Sequence, residues 1–156
     1  MTTSALDKAL GQAERVLLDS SAIIAFQNRL EAAHPLAKHL MKRIESSDDP
    51  LRGYFSVVSA SELLVRPYRV STADFTFMHA FLTTFPNLIP LSMDLAVASS
   101  AATIRAITNL RLPDAILVAS GLLSGCEVII SNDENWKRKL QPLFQEFIWL
   151  YLGDYV

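Results

Sequence analysis

The sequence has few of the residues and patterns that mark several large classes of protein. Cys126 is the only cysteine among 156 residues, so no disulfide can form within the chain. Its place before the apolar residues 128–130 indicates a buried thiol rather than a nucleophile. No run of about 18 apolar residues is present, and residues 1–14 mix charged with small residues, unlike a signal peptide. We therefore expect a soluble, cytoplasmic protein without redox chemistry.

Motifs for several common chemistries are also missing. The chain has no Gly-rich phosphate loop, no Gly-x-Ser-x-Gly turn and no Cys-x-x-Cys pair. His34, His39 and His79 stand apart from any acidic motif, which argues against a zinc site. The net charge of −2 argues against the broad basic surface of a non-specific DNA-binding protein and leaves RNA open as a substrate. Three small basic groups are candidates for phosphate contact: Arg66 with Arg69, Arg105 with Arg111, and Lys137 with Arg138 and Lys139.

What the chain does have is a full hydrophobic core and an alternation of strand-like and helix-like segments. With 51% hydrophobic residues, its length suits one domain, which we assign to residues 15–156 after an N-terminal extension over residues 1–14. The patterns predict strands over 15–19, 54–58, 88–91, 127–131 and 147–150. They predict helices over 20–30, 34–44, 59–67, 71–84, 94–110, 115–124 and 134–140. This alternation indicates an α/β fold with a mostly parallel sheet, because parallel neighbours need crossover helices.

Four acidic residues, Asp19, Glu62, Asp114 and Asp133, each follow a predicted strand or open a predicted helix. In sheets of this kind ligands bind beyond the carboxyl ends of the strands, so we expect the four side chains to converge there. Two carboxylates about 4 Å apart repel each other by roughly 4 kcal/mol at an effective dielectric constant near 20. A bound divalent cation is the simplest agent that keeps such a group of acids ionised.

Helix capping is the competing interpretation of these acids. Aspartate and glutamate are favoured at helix starts, and each acid taken alone is more often a cap than a ligand. Serine, threonine and asparagine cap equally well, so four acids at four such positions favour the metal site. Asp94 has the same context after a strand that Pro90 marks as an edge strand, and we interpret it as a cap.

Four segments together resemble the signature blocks of PIN domains, in order. The blocks are VLLDSSAII at residues 16–24, VVSASEL at 57–63, LPDAILVAS at 112–120 and IISNDENW at 129–136. Each contains one of the four acids, and the similarity extends from about residue 15 to the end of the chain. Among PIN domains, the length of the chain is similar to that of the VapC-like toxins of bacterial toxin–antitoxin pairs.

The resemblance implies a three-layer α/β/α sandwich with a mostly parallel five-stranded sheet, and a ribonuclease that depends on Mg²⁺ or Mn²⁺. The family's acidic quartet falls on Asp19, Glu62, Asp114 and Asp133. We expect the three aspartates nearest the principal metal ion and Glu62 as a ligand or an outer-shell base. Auxiliary polar residues are expected at Ser21, Ser131 and Asn132. The aromatic residue after the fourth acid is Trp136 rather than phenylalanine, and we expect it to be a core anchor.

The resemblance also implies partners, namely an RNA substrate, an antitoxin protein and a second copy of the chain. Apolar stripes on the helices at 20–30 and 36–44 are surfaces for such partners or ordinary parts of the core. Two alternatives remain open for the function. One is a PIN-like scaffold that binds RNA or protein without cutting, and the other is an RNA-processing nuclease with no toxin role.

Overall fold

The fold is a five-stranded sheet between two layers of helices, as seen in a computed structural model that describes residues 3–156. All neighbouring strands are parallel, in the order β3-β2-β1-β4-β5. The strands are β1 Arg15–Leu18, β2 Arg52–Ser56, β3 Leu88–Leu91, β4 Val128–Ser131 and β5 Ile148–Tyr151. The helices are α1 Thr3–Leu10, α2 Ser20–Gln27, α3 His34–Glu45, α4 Val57–Val70, α5 Thr72–Thr84, α6 Leu95–Thr108, α7 Leu112–Leu123 and α8 Glu134–Leu140, followed by the 3₁₀ turn Leu152–Tyr155. The predicted α/β/α sandwich is confirmed, and its sheet is entirely parallel.

Each face of the sheet has its own hydrophobic core, because successive strand residues point to opposite sides. In β1, Val16 and Leu18 belong to the core that includes α1 and α3, whereas Leu17 belongs to the core that includes α6 and α7. All three side chains are at most 1% exposed. Strands covered on both faces read as continuous apolar runs, which is why they were recognisable in the sequence.

Helix α1 packs against the rest of the protein. Leu6 and Leu10 are buried in the same core as the strands, and α1 also touches the 3₁₀ turn at the other end of the chain. Asp7 accepts hydrogen bonds from His39 Nε2 at 2.9 Å and from Arg43 Nη1 at 3.0 Å. Residues 1 and 2 of the predicted extension lie outside the described residues. The division of the chain at residue 14 stays a prediction.

The connection after β2 differs from the sequence prediction. The strand was expected to run to residue 58, but it ends at Ser56, whose side chain caps α4 by accepting the Val58 N–H at 3.2 Å. The predicted start of the helix at residue 59, where Ser59 and Glu62 have the spacing of a capping box, is therefore wrong. The predicted stop at Pro67 is also wrong, because α4 continues to Val70. Proline removes one hydrogen bond of the helix, and packing of α4 against α5 stabilises the helix in spite of that loss.

Other local predictions are confirmed. β3 with its Pro90 is an edge strand, and Asp94 caps α6. The helix predicted from residue 71 is capped by Ser71, which accepts the Asp74 N–H at 3.0 Å. The apolar stripe of α3 is ordinary core. Several exposed apolar side chains lie on α4 and α5, among them Val65, Tyr68, Val70 and Phe77. In the described part of the chain, no helix is both long and apolar enough to cross a membrane.

Candidate functional site

The four predicted acids line a single cleft. The cleft has a volume of about 190 Å³, and Asp19, Glu62, Asp114 and Asp133 all contribute to its wall. Asp19 directly follows β1 and Asp133 follows β4, so both stand beyond the carboxyl ends of two neighbouring parallel strands. Glu62 comes from the second turn of α4 and Asp114 from the first turn of α7. The convergence expected from the sequence is therefore present in the fold.

Asp19 is held by serine side chains on the adjoining helix α2 and strand β4. It caps α2, with Oδ1 accepting the Ser21 N–H and Oδ2 accepting the Ser21 hydroxyl at 3.0 Å. The Ser131 hydroxyl, at the end of β4, donates to the same Oδ2 at 2.5 Å. Ser131 Oγ in turn accepts the Asp133 N–H at 2.9 Å, so one hydroxyl connects two of the acids.

Burial raises the pKa of Asp19 above its ordinary value, because the charged form has lost most of its hydration. Hydrogen bonds from Ser131 and Ser21 favour the charged form and oppose this effect, and the negative charge of Asp133 adds to the rise. The hydrogen bonds therefore offset only part of the free-energy cost of burying the charged Asp19 carboxylate. A cation in the cleft would favour the charged form of Asp19.

Asp114 is the second buried acid of the cleft, with a side chain 8% exposed. Its Oδ1 accepts the indole N–H of Trp136 at 3.0 Å. Its Oδ2 faces Lys139 Nζ at 3.4 Å and Arg111 Nε at 3.5 Å, both at the long end of hydrogen-bond distances. The two cationic side chains are 47% and 76% exposed, so solvent weakens both ion pairs.

The other two acids are more open to solvent and each uses one oxygen. Asp133 Oδ1 caps α8 by accepting the N–H groups of Asn135 at 2.9 Å and Trp136 at 3.2 Å. Glu62 Oε2 accepts the hydroxyl of Ser20 at 3.1 Å. Within residues 3–156, Asp133 Oδ2 and Glu62 Oε1 have no hydrogen-bond partner, which leaves both atoms available to a ligand in the cleft.

The donor set suits a hard divalent cation such as Mg²⁺ or Mn²⁺. Four carboxylates and two serine hydroxyls offer only oxygen, which these ions prefer over nitrogen and sulfur. Among residues 3–156, no three acidic, histidine or cysteine side chains already lie close enough together to hold an ion. A shared ion would have to draw the more exposed carboxylates of Glu62 and Asp133 toward the two buried ones.

Comparison with known protein families identifies the family of the chain. The family model described as the PIN domain matches residues 16–139, which is most of the chain and includes all four acids. The chain belongs to the PIN domain family. A comparison with the curated proteins finds no matching sequence.

Solved structures show that this PIN domain has the fold of bacterial toxins. A toxin–antitoxin complex from Klebsiella pneumoniae is 17% identical, with a TM-score of 0.64 and coverage of 88% of this chain and 97% of that chain. VapC20 from Mycobacterium tuberculosis, a toxin that cleaves the sarcin-ricin loop, is 17% identical with a TM-score of 0.60, covering 79% and 93%. VapBC-1 from nontypeable Haemophilus influenzae is 12% identical with a TM-score of 0.63, covering 89% and 98%. At such identities the likeness is one of fold.

The auxiliary residues of the PIN domain take up different positions. Ser21 and Ser131 both bind Asp19, and their Oγ atoms lie 3.1 Å apart. Asn132 contributes its backbone, because its N–H donates to Ser21 Oγ at 2.7 Å. Sequence reasoning did not anticipate Ser20, the partner of Glu62, although its place directly after Asp19 was a signal.

Only some of the basic residues that were candidates for phosphate contact lie at the cleft. Arg111 lines the cleft, and Lys139 reaches Asp114 from α8. Lys137 is engaged elsewhere, by Asp154 Oδ2 at 2.6 Å. Trp136 is not simply a core anchor: it is half-buried, lines the cleft and donates to Asp114. The histidines are absent from the cleft wall, with His34 Nδ1 and His39 Nε2 bonded to Ala25 O and Asp7.

Proposed function

We propose that this PIN domain is a ribonuclease that depends on Mg²⁺ or Mn²⁺ and hydrolyses phosphodiester bonds within RNA chains. The observation that carries the proposal is the meeting of four carboxylates in one cleft, two of them buried. Helix capping alone explains single acids at helix starts. It gives no reason for acids to be buried beside one another, because burying a charged group lowers the stability of the fold. Asp94, which caps α6 and stays out of the cleft, shows what capping alone looks like in this chain.

The division of roles follows from burial and from the atoms left without partners. We assign Asp19, Asp114 and Asp133 as the ligands nearest the principal ion. Glu62, exposed on α4 with Oε1 available, serves as a further ligand or as the base that accepts the proton of the attacking water. When bound, the ion acidifies a water molecule and neutralises negative charge that develops on the phosphate.

The surrounding residues orient the reacting groups. Ser21 and Ser131 fix the carboxylate of Asp19, so that its direction does not depend on the bound ion. Arg111 lies in the cleft wall with a largely exposed guanidinium, which suits it to contact a phosphate oxygen of RNA. We propose that Arg111 makes this contact when RNA is bound.

Purified protein tests the proposal directly. We expect cleavage of RNA when Mg²⁺ or Mn²⁺ is added, and no cleavage in EDTA. The substitutions Asp19→Asn and Asp114→Asn should each lower the cleavage rate by more than about 100-fold, because each removes a ligand charge. The matched control is Asp94→Asn, a cap outside the cleft, which should cleave at the wild-type rate. Undiminished cleavage by the Asp19 and Asp114 variants would refute the assignment.

A scaffold without catalytic activity is the second candidate, and one observation favours it: within residues 3–156, no three acids are already placed to hold an ion. Mn²⁺ titration separates the two candidates. If the four acids are merely caps, the wild-type protein should bind Mn²⁺ no more tightly than the Asp19→Asn variant. If they form a metal site, the wild-type protein should bind more tightly by a wide margin.

We further propose that the protein is the toxin of a type II toxin–antitoxin pair that acts in the cytoplasm, with an antitoxin partner and a homodimeric state. Support comes from the similarity in fold to the toxin–antitoxin complex from Klebsiella pneumoniae and to the toxin VapC20 from Mycobacterium tuberculosis. The exposed apolar residues of α4 and α5 offer a surface that a protein partner can cover. Expression should arrest growth only when the neighbouring gene is missing. Growth unaffected in both conditions would indicate an RNA-processing nuclease without a toxin role.

A further inference from the structure

Trp136 makes hydrogen bonds from both ends of the residue to two different acids of the cleft. Its backbone N–H donates to Asp133 Oδ1 at 3.2 Å, and its indole Nε1–H donates to Asp114 Oδ1 at 3.0 Å. Asp133 caps α8, whereas Asp114 lies on α7. One residue therefore connects two carboxylates that belong to different helices and repel each other.

The indole ring is held in place by a second tryptophan. Trp136 packs edge-on against Trp149 of β5, with ring centroids 5.5 Å apart and an interplanar angle of 62°. Trp149 is 5% exposed and donates its own indole N–H to Phe144 O at 2.7 Å. Because an aromatic ring with two χ angles packed on a buried partner has little freedom, the Trp136 N–H has a fixed direction.

This arrangement orients Asp114 without neutralising it. The indole N–H is an uncharged donor that does not ionise, so it fixes Oδ1 while the carboxylate keeps its charge. Oδ2 is left with the two longer contacts to Lys139 and Arg111, both on exposed side chains. A cation that enters the cleft has to displace only these weak contacts to reach Oδ2.

We propose that Trp136 is a positioning residue that presents Asp114 to the divalent cation. The inference rests on the proposed metal-dependent function and adds one residue to it. A phenylalanine at this position would preserve the ring packing but has no donor, so Asp114 would be free to rotate and the ion would bind a less organised site.

Direct Mn²⁺ binding, measured by electron paramagnetic resonance of the free ion, tests the role without relying on activity. We expect Trp136→Phe to raise the Kd for Mn²⁺ by about 10- to 100-fold, the usual effect of losing a residue that orients a metal ligand. The matched control is Asp94→Asn, which changes an acid that caps α6 outside the cleft. Its Kd should stay within about twofold of the wild-type value.

A double-mutant cycle shows whether Trp136 acts through Asp114. In an Asp114→Asn background, adding Trp136→Phe should change the Kd by less than about twofold, because the carboxylate that the indole positions is already gone. A full additional loss would mean that Trp136 acts by another route, and would overturn the proposal.

The wild-type protein offers a second measurement that no folding defect can disturb. The chain has two tryptophans, so a nitrogen–hydrogen NMR spectrum contains two indole signals, which the Trp149→Phe variant assigns. Titration with Mg²⁺ should shift the Trp136 signal and leave that of Trp149 nearly unchanged.

The outcomes separate the two proposals. If Trp136→Phe binds Mn²⁺ like the wild type while Asp114→Asn binds it weakly, the positioning role is wrong and the metal site stands. The same conclusion follows if Mg²⁺ shifts the NMR signal of the Asn132 amide but not that of the Trp136 indole. If wild-type protein binds Mn²⁺ no better than Asp19→Asn, the metal-dependent function fails and the positioning role fails with it.

Discussion

The substitution Asp19→Asn should make the metal-free protein more stable while it abolishes activity. The effective cost of burying a carboxylate is several kcal/mol, and hydrogen bonds to a charged group return about 1.5–3 kcal/mol each. Asp19 receives three such bonds, from Ser21 N–H, Ser21 Oγ and Ser131 Oγ. Its pKa is nevertheless raised, with burial as the largest cause, so the balance is against the charged form. Asparagine keeps an oxygen for the Ser21 N–H and carries no charge.

The stability that Asp19→Asn gains over the wild type should increase with pH. Below the ordinary pKa of aspartate, near 4, Asp19 is protonated in the folded and unfolded states and costs nothing. As the pH rises through the higher folded-state pKa, the folded protein has to give up that proton, and the wild type loses stability relative to Asp19→Asn. We expect a difference of about 1–2 kcal/mol at pH 8, or about 2–8 °C in Tm for a chain of this length, and a smaller one at pH 5.

Urea unfolding in EDTA at pH 5 and pH 8 measures this difference. Asp94→Asn is the matched control, since asparagine caps a helix about as well as aspartate and the change should stay within about 0.5 kcal/mol. Mn²⁺ at about 100 times its Kd should stabilise the wild type and Asp94→Asn by about 2.7 kcal/mol, and Asp19→Asn by much less. If Asp19→Asn is less stable than the wild type at pH 8 in EDTA, the buried carboxylate is a net stabilising group and the reasoning is wrong.

Further predictions concern the core and the thiol. Leu10 on α1 is 1% exposed, so Leu10→Ala should lower the free energy of unfolding in urea by about 2–5 kcal/mol. The control Leu30→Ala, at a residue 93% exposed, should change it by less than about 0.5 kcal/mol. Equal effects would mean that α1 is not part of the core. Gly121→Ala should lower Tm despite the better helix propensity of alanine, because the new Cβ would stand 2.8 Å from Leu17 Cδ2; a higher Tm would show that the core can adjust. Burial raises the pKa of the Cys126 thiol to about 11, so mass spectrometry should find almost no alkylation by iodoacetamide at pH 8 in the folded protein and rapid alkylation in urea; fast reaction of the folded protein would contradict its burial.

The convergence of the acids was predictable because it depends on topology. Parallel strands end at one edge of a sheet, so Asp19 after β1 and Asp133 after β4 were expected at the same edge, and the pairing of β1 with β4 makes them neighbours there. Glu62 was placed correctly for a partly wrong reason. Val57 and Val58 are β-branched and apolar, which suits a strand as well as a helix, and only the cap at Ser56 distinguishes the two.

The contacts between side chains were not predictable in the same way. The hydrogen bond from Trp136 to Asp114 joins residues 22 positions apart and depends on the direction of a ring that Trp149 supports. The start of α7 was placed at residue 115 instead of Leu112, because Arg111 gives no side-chain cap to mark it. Periodicity shows which face of an element is buried, but it contains no information about rotamers.

The contact between α1 and the 3₁₀ turn brings together segments from opposite ends of the described chain. Leu6 and Leu152 are both fully buried in one core, and Tyr155 packs against it. Opening of either segment removes part of the packing surface of the other, so the two should unfold locally as one cooperative unit. Amide hydrogens of both segments should then exchange with solvent deuterium at matching free energies of opening. A short peptide linker between the two segments should strengthen that unit, since it would reduce the conformational freedom that is gained when the segments separate.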